Sequence, residues 1–194
     1  MALNKNESKT IYLSVSDGAL VRQHPQAIDG VTKERITKTG KLVWEERFKD
    51  LTGMIIGVDT RENDYGKQLT VKFKDGDEWY QISMPYSSRY SSSFLKALPN
   101  VDLTQSVRFM PWAMPDKSDN TKTVTGITMY QGKDKIAPKF TKDNPGDMPQ
   151  MKQIKVKGKV TWDDSDMMEF LEKMARSLFA ATLSITVNTE EAPF

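Results

Sequence analysis

Basic and aromatic side chains interleave along the middle of this chain in a pattern with a definite chemistry. Lys72 and Lys74 alternate against Leu69, Val71 and Phe73, and Trp79 falls on the opposite phase to Tyr80 and Ile82. Arg108 and Trp112 share one strand phase with Met110, against Val107 and Phe109. Arg61, Tyr65 and Lys67 surround one turn, Tyr86, Arg89 and Tyr90 follow a strand end, and Lys122 stands in a charged loop. Aromatic faces accept unstacked bases and cations track phosphates, so the mixture suits single-stranded nucleic acid, at about 1–3 kcal/mol per stacked base. Each ring also has a plain alternative as a packing residue.

Other chemistries find less support. There is no cysteine, which removes disulfides, thiol nucleophiles and cysteine-ligated metals, and there is one histidine, His24, too few for a histidine-ligated metal site. No Walker A, GxGxxG or GxSxG sequence occurs. Carboxylates cluster at Asp59/Glu62/Asp64, Asp75/Asp77/Glu78 and Asp163/Asp164/Asp166. Each trio has the oxygen ligands a divalent ion takes, but the first two suit turns and the third suits a helix N-terminus. No metal and no cofactor is expected.

These residues need a scaffold, and alternation supplies one. Ile11, Leu13 and Val15 alternate with polar residues, and Asp17-Gly18 turns the chain into Ala19–Val21, a hairpin. Residues 23–39 read as a loop with a short extended piece, and Lys41–Phe48 as a strand. From Leu51 the order is strand, strand, strand, short helix (Ser91–Leu98), strand, strand, with Gly53 and Gly57 allowing the first strand to bend. That is the order of a five-stranded OB barrel. The chain is therefore expected to be mainly β. It divides into an N-terminal β extension (1–50), an OB-like barrel (51–140), a linker or arm with a basic strand (141–162), an amphipathic helix with its following segment (163–187) and a disordered acidic tip (188–194). Met167, Met168, Phe170, Leu171, Met174 and Leu178 give the helix an apolar face, for docking on the barrel or for self-association.

Charge is unevenly spread. Residues 1–162 carry 26 Lys and Arg against 19 Asp and Glu, a net +7, whereas residues 163–194 carry 2 against 7, a net −5. A basic body with an acidic end suits a polyanion-binding surface. The last residues, Glu190-Glu191-Ala192-Pro193-Phe194, place acids before a small residue, Pro and Phe. This resembles the acidic C-terminal tip of bacterial single-stranded DNA-binding proteins, and the whole is more similar to the divergent members of that class encoded by tailed bacteriophages. The resemblance implies an OB barrel and a tip that recruits replication and repair proteins, with the terminal Phe and carboxylate docking in a basic-rimmed pocket. It covers about six residues, Thr189–Phe194; the bacterial family's long Gly/Gln/Pro-rich linker is absent.

The expectation is thus a cytoplasmic, non-enzymatic protein that coats single-stranded DNA in replication or recombination. It would engage no membrane, and its partners would be single-stranded DNA, replication or repair proteins and further copies of itself. The alternatives are a viral structural or assembly protein and a metal-dependent nuclease.

Overall fold

The computed structural model describes residues 10–37, 39–156 and 158–190. Alternating apolar residues make most of it β. The strands are β1 (Thr10–Ser16), β2 (Ala19–His24), β3 (Lys33–Ile36), β4 (Leu42–Phe48), β5 (Leu51–Asn63), β6 (Gly66–Asp75), β7 (Glu78–Pro85), β8 (Val107–Pro115), β9 (Thr123–Gln131), β10 (Asp134–Lys135), β11 (Lys152–Val156) and β12 (Lys159–Asp163). The helices are α1 (Arg89–Ala97), extended by a 3-10 turn at Leu98–Asn100, and α2 (Ser165–Glu190). Ten strands form one sheet in the order β10-β9-β8-β5-β6-β7-β1-β2-β4-β3, and β11 and β12 form a separate hairpin.

The closed five-stranded barrel does not form among the described residues. Closure would require the outer edge of β7 to be met by the last barrel strand. Instead β1 lies parallel on that edge, from Thr10 opposite Trp79 to Ser14 opposite Ser83, and satisfies its backbone groups. The outer edge of β9 takes β10. The strands β1–β4 therefore continue the sheet beyond β7.

The sheet nevertheless rolls. β5 pairs with β8 through Leu51–Gly53 and with β6 from Met54 onward, with a register shift between Ile55 and Gly57. Such an irregularity sharpens bend and twist. The Asp17-Gly18 turn, with φ of +48° and +73°, swings round to β8. A Cβ on Gly18 would lie 2.5 Å from the Ala113 backbone nitrogen, so only glycine permits that approach.

Leu69, Val71, Phe73, Ile82, Met84, Val107 and Phe109 fill the inner face, all fully buried. Phe109 meets Phe73 and Phe94 edge-on, with ring centroids 5.6 and 5.8 Å apart. α2 closes the core with Met167, Met168, Leu171 and Ala175, so the helix docks on the sheet. The segment expected as a linker or arm is pinned at Met148, which is buried, and follows directly on Phe140, buried against Phe170. α2 continues through Glu190, so Asn188–Glu190 extend the helix rather than the expected tip; Glu191, Ala192, Pro193 and Phe194 lie outside the described residues. No described helix is long and apolar enough to cross a membrane.

Candidate nucleic-acid interface

Three adjacent strands place the first group of candidate residues on one surface. β6, β7 and β1 turn Phe73, Ile82 and Leu13 inward, so their alternate residues point outward. Register then sets Lys74 opposite Trp79 and Trp79 opposite Thr10, while Lys72 faces Gln81 and Gln81 faces Tyr12. Trp79 is 37% exposed and Tyr12 64%. The Lys74 Nζ lies 5.4 Å from the Trp79 ring centroid, a cation–π contact. Among the described residues neither Lys72 nor Lys74 forms an ion pair, and both are exposed. The strip therefore presents two aromatic faces and two uncompensated cations. Sequence reasoning misses Tyr12 because its value depends on β1 pairing with β7. Its polar phase against Ile11 and Leu13 is the available signal.

Arg108 and Trp112 lie on the same outer phase but on β8, beyond β5 and β6. The Trp112 ring covers Gly126 on β9, where a Cβ would come within 2.5 Å of Cζ2, so it is half-buried. Arg108 donates to Asp50 Oδ2 at 2.7 Å. Lys122 pairs with Asp119 at 2.9 Å in the β8–β9 loop. Arg61 and Tyr65 are exposed at the β5–β6 turn, Tyr65 at 86%. Arg89 is exposed at the start of α1.

Tyr86 and Tyr90 are not stacking platforms, since each is only 8% exposed. The Tyr90 hydroxyl accepts from the Gly18 N–H at 2.9 Å, and its ring shares the buried face of α1 with Phe94 and Ala97. Tyr86 donates to Glu172 Oε2 at 2.8 Å, and the Lys67 Nζ sits 3.8 Å from its ring centroid. Lys67 is likewise engaged, donating to Glu172 Oε2 at 2.7 Å.

Glu172 is the hub where α2 meets the sheet. Its Oε1 accepts from Thr60 Oγ1 at 3.0 Å and from the Arg176 guanidinium at 3.0 and 3.1 Å. Burial raises its carboxyl pKa, but the bonds from Lys67, Tyr86, Arg176 and Thr60 outweigh this and hold it down to about 2. The Tyr86 hydroxyl is pushed well above its usual range, first by burial and then by Glu172. A carboxyl whose folded pKa is depressed stabilises the fold above its unfolded value. That contribution disappears as pH falls from about 4.5 toward about 2. Glu172→Gln is therefore expected to remove up to about 3 kcal/mol of acid sensitivity in this window, judged from denaturant midpoints between neutral and acid pH. Identical acid limbs in the variant and the parent would contradict it.

The acidic clusters have local roles. Asp59 accepts from Arg176 at 3.3 Å, Asp163 accepts from the Ser165 N–H at 3.0 Å, and Asp166 pairs with Lys152. Glu78 accepts from the Tyr80 hydroxyl, whose pKa this bond, then burial, raises to about 12. Among the described residues no three His, Cys, Asp or Glu groups converge as metal ligands would. His24 Nε2 contacts Glu46 Oε2 at 3.0 Å. Comparison with protein-family models, curated proteins and solved structures found no match to this chain.

Proposed function

We propose that this chain binds single-stranded DNA without base specificity, in DNA replication or recombination, and that the segment Glu190–Phe194 recruits partner proteins. The observation that carries the reading is the outer strip of β6, β7 and β1, where Trp79 and Tyr12 lie beside Lys72 and Lys74. Stacking on any base plus contact with any phosphate reads no sequence. Further support comes from strand order. Within the sheet, β9-β8-β5-β6-β7 follows the order of an OB fold, with α1 between the third and fourth of those strands in the chain. In OB folds the second and third strands and the loops after the first and fourth hold oligonucleotides. Here those are β6 and β7, the turn bearing Tyr65 and the loop bearing Lys122. β1, on the edge where an OB barrel would close, widens the platform by Tyr12.

The test compares the full chain with one lacking residues 190–194. Both are expected to bind oligo(dT), the shortened chain equally or slightly more tightly at low salt, where the acidic segment competes most for the basic face. The shortened chain is expected to lose capture of replication or repair proteins, because the apolar plug and neighbouring acids are gone. Retention of the same captured proteins would contradict the recruiting role, and failure of both chains to bind oligo(dT) would contradict the DNA-binding one.

A further inference from the structure

A second surface, separate from the strip, combines the same chemistries. The β11–β12 hairpin belongs to no larger sheet. Between Met151 and Trp162 the sequence holds four lysines and no acidic residue. Register puts Trp162 opposite Gln153 and Val160 opposite Lys155, so these four share one face. Trp162 is 58% exposed and Val160 60%, a large apolar display for so basic a ribbon. Between this hairpin and α1 runs a groove of about 790 Å³, whose lining includes Ser87, Arg89, Ser92, Lys96 and Trp162 together with one carboxylate, Asp164. That volume falls within the range of ligand sites.

The cations in this groove are unspent. Lys96 is half-buried, and burial draws its pKa down. Among the described residues neither Lys96 nor Arg89 forms an ion pair, although Arg89 lies in the field of Asp116. A half-buried ammonium lacking a counter-ion gains from any anion placed beside it. The groove also continues the strip along the chain. β7 carries Trp79 near its start, ends at Pro85 about 20 Å further on, and leads directly into Ser87.

We infer that the groove between α1 and the β11–β12 hairpin is a second binding segment for the same single-stranded DNA. In it Trp162 stacks a base, and Arg89 and Lys96 contact phosphates that have passed beyond the β6–β7–β1 strip. The inference rests on the proposed DNA-binding function and extends it from one platform to two.

The experiment uses the full chain with fluorescently labelled oligo(dT) of two lengths, about 6 and about 20 nucleotides, bracketing the span of a single OB-type site. Trp162→Ala is expected to weaken the long oligonucleotide about 5- to 150-fold and to leave the short one unchanged. Trp162→Phe is expected to restore most of the loss. Arg89→Ser combined with Lys96→Ala is expected to lower the salt slope for the long oligonucleotide by about 1.4, and not for the short. Parent-like affinity for the long oligonucleotide in Trp162→Ala overturns the inference while leaving the DNA-binding reading standing. Equal weakening at both lengths also overturns it, since the groove would then be no separate segment. A parent chain that binds neither length overturns both.

Discussion

Replacing Trp79 and Tyr12 together with alanine is expected to weaken oligo(dT) binding by about 2–6 kcal/mol, roughly thirty-fold to twenty-thousand-fold, if the two contributions add. The two rings stand on neighbouring strands, on the outer phase, and are 37% and 64% exposed. Their partners on the inner phase, Ile82 and Leu13, carry the packing. Truncating Tyr12 removes little buried area, whereas Trp79 is only 37% exposed and its loss costs packing, so a lower but still cooperative melting transition is expected. Fluorescence anisotropy and thermal denaturation on the same preparation separate the two effects. Unfolding of the double variant would assign both rings to the core, and unchanged affinity would remove the strip from the interface.

Leu171→Asp carries the second large effect, on stability. Leu171 is fully buried where α2 meets the core, among Met167, Met168 and Ala175. The substitution removes a packed side chain, at about 2–5 kcal/mol, and introduces a carboxylate with no partner there. The sum is a large part of the about 5–15 kcal/mol that stabilises an ordinary domain. Loss of the cooperative transition, or a melting temperature lower by more than about ten degrees, is expected. Lys173→Ala, on the exposed side of the same helix, is expected to change stability by no more than about 0.5 kcal/mol. Sedimentation supplies the discriminating readout. A Leu171→Asp chain of parent-like stability that had merely lost a self-associated species would mean that the helix serves assembly rather than docking.

Local periodicity alone makes most of the strip legible in the sequence. Lys72, Lys74 and Trp79 fall out of register with Val71, Phe73 and Ile82, and a period of two leaves them nowhere but the outer face. The same logic places Arg108 and Trp112 on one phase of β8. What depends on distant pairing is not legible. Whether β1 or β9 takes the outer edge of β7 is a competition between segments far apart in sequence, and alternation within each says nothing about the winner. The open sheet, and Tyr12 with it, follow from that competition. Tyr86 reads as exposed because it follows Pro85 at a strand end, yet the docking of α2 covers it and hands its hydroxyl to Glu172. Tyr90 offers a clue in its spacing from Phe94 and Ala97, which sets all three on one face of α1. Lys67 cannot be separated from Lys72 by sequence, because the acid that neutralises it stands 105 residues away.

The most direct measurement is the affinity of the full chain for oligo(dT) and for a duplex of equal length across a range of salt concentrations. The account predicts tighter binding to the single strand at every salt concentration. It also predicts a plot of log affinity against log salt with a slope of about −0.7 per phosphate engaged, hence about −1.4 or steeper from Lys72 and Lys74 alone. Equal affinity for duplex and single strand, or binding that ignores salt, would contradict it.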